Sequence, residues 1–92
     1  METRARDLAR AEQLRRARTD LVLAASERPL GQILSVTGDA ALTYVVKVLD
    51  VSPGLGKVSG RRAMASIGLD QFARIVDLTG AQRDALVEAA RG

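Results

Sequence analysis

Val48-Leu49-Asp50-Val51-Ser52-Pro53-Gly54-Leu55-Gly56-Lys57-Val58-Ser59-Gly60-Arg61-Arg62-Ala63-Met64 reads as helix, hairpin, helix. Pro53 cannot continue the incoming helix, because it has no N–H to donate and its ring blocks the preceding turn. Gly54 and Gly56 permit backbone angles that a Cβ forbids, and they let N–H groups approach another molecule closely. Leu55, between them, is placed to turn inward as an anchor. Gly60 lies on the face where two helices must cross at short range. The amides of Gly54, Leu55, Gly56, Lys57 and Val58 are thereby delivered at a helix start, where unpaired donors and the helix dipole favour an anion. Lys57, Arg61 and Arg62 add cations on and beside that start, and a phosphodiester backbone suits such a site. A nucleotide-binding P-loop is the rival reading of Gly54-Leu55-Gly56-Lys57. It fails because the Gly-x-x-x-x-Gly-Lys-Ser/Thr spacing is missing, no strand precedes it, and Val58 stands where a magnesium-binding hydroxyl belongs.

Outward from this segment, helical spacing recurs and alternating strand patterns do not, which predicts an all-α fold. A long first helix is expected from Thr3, as N-cap, to about Ser26, with Leu14, Ala17, Leu21 and Ala24 as its apolar stripe. Its first half carries Arg4, Arg6, Arg10, Arg15, Arg16 and Arg18 with little to bury, so it is expected to project as a solvated arm. The division expected is an arm over 1–28 and a body over 29–92, within one domain. Pro29 ends the first helix and opens a short one through Leu30, Ile33 and Leu34. Asp39 is a candidate N-cap for the next piece. Helix is preferred over strand for Thr43 to Val51, because a lone strand has nothing to pair with. Beyond the hairpin, a helix from about Lys57 to Ile67 is closed by Gly68. Asp70 is expected to cap a short helical piece holding Phe72, Ile75 and Val76. Thr79-Gly80-Ala81-Gln82 fits a capping box opening a last helix that buries Leu86 and Ala90.

The composition narrows the chemistry. The 92 residues include no Cys and no His, which excludes disulfides and removes the commonest general base and the commonest neutral metal ligand. No cofactor is expected, and an enzyme is the least favoured class. Asp70, Asp77, Asp84 and Glu88 read as caps and surface charges, and so short a chain leaves little room for a catalytic pocket. With no Trp, one Phe and one Tyr, the aromatics are too few for a base-stacking platform. The net charge is only +3. It is concentrated, however, within 47–62, where Lys47, Lys57, Arg61 and Arg62 face Asp50 alone. The charged N-terminal stretch lacks the apolar core of a signal peptide, and no apolar run is long enough to span a bilayer. A cytoplasmic protein without membrane or small-molecule partners is expected, acting as a monomer.

This segment, with the order of elements around it, resembles the actinobacterial integration host factor family, small nucleoid-associated proteins unrelated to the heterodimeric factor of the same name. The family's Leu-Pro-Gly-Val-Gly-Lys and following basic helix with a buried Met appear here as Ser52-Pro53-Gly54-Leu55-Gly56-Lys57 and Arg61-Arg62-Ala63-Met64. Its Gly-Ile turn corresponds to Gly68-Leu69, and its closing Gln-Arg-x-x-Leu to Gln82-Arg83-Asp84-Ala85-Leu86. The resemblance extends over about 18–90. It implies a long N-terminal helix before a helix–two-turn–helix body, and non-specific binding and bending of duplex DNA through the minor groove, in the nucleoid. Two basic clusters of the family are replaced. Leu42-Thr43-Tyr44 stands for its Lys-Met-Lys, and Ala73-Arg74-Ile75-Val76-Asp77-Leu78-Thr79 for its Arg-Arg-x-Arg-Gly-Leu-Gly, so that only Arg74 remains there.

The DNA-binding residues expected are therefore Pro53, Gly54, Leu55, Gly56, Lys57, Val58, Gly60, Arg61, Arg62 and Arg74. Arg10, Arg15, Arg16 and Arg18 are candidates for secondary contacts, against the plain reading of a solvated helix face offset by Glu2, Asp7 and Glu12. No side chain has an evident base-reading role, so binding should be sequence-independent and steeply salt-dependent. Two other readings stay open. One is an RNA-binding module of the same architecture; the other is an adaptor with reduced DNA affinity, its Ala-rich arm pairing with a partner helix.

Overall fold

The computed structural model describes residues 2–91, with side chains over 4–91. Five α-helices and two 3-10 turns make up the fold: α1 (Glu2–Ala25), α2 (Leu30–Ile33), a 3-10 turn (Gly38–Leu42), α3 (Val45–Val51), α4 (Gly56–Ser66), a 3-10 turn (Ile75–Asp77) and α5 (Gly80–Arg91). Among the described residues there is no strand, as the apolar spacing predicts; the only pairing of strand type is an isolated antiparallel bridge between Tyr44 and Arg74. No described helix is long and apolar enough to cross a membrane.

The first helix follows its residue types. Residues 4–13 of it are exposed, where Arg and Ala predominate and even Leu8 stays in solvent, while Leu21 and Ala25 enter the core. The helix thus reaches out at one end and packs at the other, giving extents of 51 × 25 × 21 Å. Two expectations need correction at this end. The helix already runs at Thr3, so it begins ahead of the expected cap. Nor is the arm wholly free, because the Arg10 guanidinium donates to both carboxylate oxygens of Asp39 at 2.7 and 2.8 Å. Asp39 is accordingly not an N-cap. It lies in the first turn of its 3-10 segment, whose cap position is Thr37.

Pro29 occupies the cap position of α2, and Leu30, Ile33 and Leu34 are buried behind it. The core gathers them with Val45, Val48, Leu49, Met64, Ile75 and Leu86. Its densest contact is between α3 and α4. Gly60 makes that crossing possible: a Cβ there would stand 3.0 Å from the Cβ of the fully buried Leu49. The close of α4 is a Schellman motif. Gly68 adopts φ 72°, the Gly68 N–H donates to Ala65 O at 3.2 Å, and the Leu69 N–H donates to Met64 O at 2.9 Å. At the start of α5 the Thr79 N–H donates to Gln82 Oε1 at 2.9 Å and the Gln82 N–H to Thr79 Oγ1 at 3.1 Å, which is the capping box.

Two local expectations fail, the first through pairing across the chain and the second through a local side-chain turn. Tyr44 precedes α3 in extended conformation instead of opening it. The Val45 N–H donates to Ala73 O at 2.9 Å and the Ile75 N–H to Thr43 O at 3.1 Å, so the short extended piece does find a partner. The segment after Asp70 is likewise not a helix holding Phe72. Asp70 instead accepts from the Phe72 N–H at 2.7 Å, a side-chain turn, and leaves Phe72 exposed.

Candidate nucleic-acid interface

Between α3 and α4 the hairpin is built from the outside in. Ser52 ends α3, its hydroxyl donating to Val48 O at 2.8 Å. The Leu55 N–H then donates to Ser52 O at 3.2 Å across Pro53 and Gly54, with Gly54 at φ 92°, the pattern of a type II turn. Gly56 follows at φ 84° and starts α4. Leu55 is half-buried against the core, so it anchors the hairpin as its place between the glycines predicts.

This construction divides the five amides. That of Leu55 is spent on Ser52 and is not available to a ligand. Gly56, Lys57 and Val58 occupy the first three positions of α4, where N–H groups have no partner within the helix, and Leu55 supplies no side-chain cap. The close approach at Gly54 is internal: a Cβ there would overlap the carbonyl oxygen of Ala90 in α5. At Gly56 nothing lies within 4 Å of that position, so its outer face is open. Gly60 is buried against Leu49 and serves the crossing; it is not a contact residue for a ligand.

The cations separate in the same way. Lys57 and Arg62 are exposed and make no ion pair among the described residues. Arg61 is drawn toward Asp50, with Nη2 3.7 Å from Oδ2. Arg74 is not part of the hairpin. Its guanidinium lies over the Tyr44 ring at 5.2 Å from the centroid, beside Leu14, Arg18 and Leu42. Of the arm residues, Arg10 is engaged by Asp39, and Arg15 and Arg16 share Glu12 at 3.2 and 3.9 Å. Asp39 also raises the already high pKa of Arg10, first by its hydrogen bonds and then by its charge.

Sequence reasoning missed a second basic face. Arg15 and Arg18 of α1 meet Lys47 of α3 across a cleft of about 370 Å³, with Tyr44 and Thr43 in its lining. No carboxylate lines this cleft. Tyr44 and Phe72, the only aromatics, meet edge to face with ring centroids 6.2 Å apart. Nothing in the spacing of single residues signals this; the Tyr44–Arg74 bridge creates it.

No family model, curated protein or solved structure matches the chain.

Proposed function

We propose that the chain binds the phosphate backbone of duplex DNA, largely without regard to sequence, as a helix–two-turn–helix nucleoid protein of the integration host factor type. The observation that carries this reading is the open start of α4. Three unpartnered amides, on Gly56, Lys57 and Val58, stand beside the free cations of Lys57 and Arg62. Donors fixed at a helix start bind an anion without paying to reorganise, and the adjacent cations add counterion release. Pro53 and Gly54 shape the loop that holds these donors, and Arg61 contributes in part because Asp50 shares its charge. Bending follows if the arm and the hairpin grip one duplex on two faces.

The test is a gel-shift titration of Lys57→Glu with Arg62→Glu. These two are chosen because both are exposed and unpaired, whereas Arg61→Glu would set two carboxylates side by side. Duplex binding should be lost with the helical circular dichroism unchanged. Unaltered affinity would overturn the proposal, and equal competition by structured RNA of the same length would move it to RNA.

A further inference from the structure

The cleft between α1 and α3 carries a chemistry that the hairpin does not. Arg15, Arg18 and Lys47 bring three cations to it, from two helices far apart in the chain; Arg15 also pairs with Glu12 at 3.2 Å, but no acid is part of the cleft's lining. One wall is Tyr44 and another is the aliphatic Val22. The remaining feature is Thr43, which lines the cleft and is 1% exposed, yet its hydroxyl has no hydrogen-bond partner among the described residues. The Thr43 backbone is fully used, its N–H by Ala40 O at 3.1 Å and its carbonyl by the Ile75 N–H at 3.1 Å. A buried hydroxyl without a partner has given up its water for nothing in return, so its persistence calls for an explanation. A bound ligand that accepts from it, or donates to it, is one.

We propose that this cleft binds a nucleotide, its phosphate held by Arg15, Arg18 and Lys47 and its base set against Tyr44 within reach of the Thr43 hydroxyl. The charge selects an anion. The aromatic and aliphatic walls select an anion that carries a flat apolar group, since phosphate alone leaves them wet. The cleft's volume of about 370 Å³ lies within the range typical of small-molecule sites. Two sources supply this chemistry, a free mononucleotide and an unpaired nucleotide of a strand. The site is independent of the hairpin, which it does not touch, so the two readings stand or fall separately.

Tyr44 is the only tyrosine and there is no tryptophan, so its ring resonances and the amides of Thr43 and Lys47 report on the cleft in an NMR titration of the full chain. AMP should shift them saturably, and adenosine and inorganic phosphate should each bind about tenfold more weakly, having lost one half of the recognition. Arg18→Glu with Lys47→Glu should abolish the AMP shifts, while Lys57→Glu with Arg62→Glu should leave them intact. Single-stranded oligonucleotide binding at least about tenfold more tightly than AMP at these same resonances identifies the strand as the source; equal affinity identifies the free nucleotide. The proposal is overturned if AMP leaves Thr43, Tyr44 and Lys47 unmoved, or if phosphate alone reproduces the response with equal affinity.

Discussion

No Cβ fits at Gly54, because it would overlap the carbonyl oxygen of Ala90 near the end of α5. The hairpin and the last helix are thus held together by the absence of a side chain. Gly56 gives the comparison: it too has positive φ, 84° against 92°, but faces open space. Gly56→Ala should cost about 1–2 kcal/mol from backbone strain alone. Gly54→Ala should cost a further 1–3 kcal/mol or so, because a backbone carbonyl must move. Urea denaturation of the two variants measures the difference. Equal midpoints would mean that the hairpin and α5 separate freely.

The reciprocal bonds between Thr79 and Gln82 satisfy donors that the first turn of α5 would otherwise leave bare. Thr79→Ala should destabilise the chain by about 1 kcal/mol, the usual loss for an N-cap. Leu86→Ala, at a fully buried position on the same helix, should cost about 2–5 kcal/mol. Thermal unfolding should rank the two in that order. A larger loss from the cap than from the core would mean that α5 is held mainly by its first turn.

Where the sequence was legible, the deciding interaction lies within one turn of chain. Pro53 and Gly54 force a turn, Gly68 ends α4, and Thr79 with Gln82 opens α5, each through partners no more than a few residues away. Where it was not, the partner is remote. Asp39 resembles a cap until Arg10 takes both its oxygens, and Tyr44 resembles a helical residue until Thr43 and Val45 pair with the chain at 73–75. The same limit governed the candidate site. The donors of α4 follow from the Gly-x-Gly-Lys pattern, but the meeting of Arg15, Arg18 and Lys47 depends on how α1 packs against α3, which no local pattern encodes.

Arg10 joined to Asp39 predicts where the arm is held. Both groups are substantially exposed, so Arg10→Ala should barely change global stability. It should instead speed amide exchange in the first turns of α1, since fraying no longer breaks an ion pair. The pH dependence has a definite sign. Asp39 raises the Arg10 pKa, so this contribution is fully present below the arginine's unfolded-state pKa and is lost only as pH rises through the still higher folded-state value. Arg10 itself therefore adds no pH dependence near neutrality. Unchanged exchange in the variant would show that the helix holds its own end.

Arg61 and Asp50 give the sharpest handle on DNA binding. Asp50 is mostly buried on α3, one oxygen 3.7 Å from the Arg61 guanidinium and the other without a partner. A charge so placed attracts Arg61 and lowers the positive potential beside the open amides of α4. Asp50→Asn removes it while keeping the shape. Duplex affinity should then rise, and the slope of log K against log salt should steepen by up to about 0.9, the release expected for one more neutralised phosphate. Lys57→Ala, which removes a free cation, should flatten the slope by about the same amount. The decisive comparison is Arg61→Ala in both backgrounds, measured by fluorescence anisotropy at several salt concentrations. Because Asp50 restrains Arg61, the loss should be small in the native chain and larger once Asp50 is Asn, a coupling that a double-mutant cycle isolates. Equal losses in the two backgrounds would show that Asp50 leaves Arg61 free to meet the phosphate.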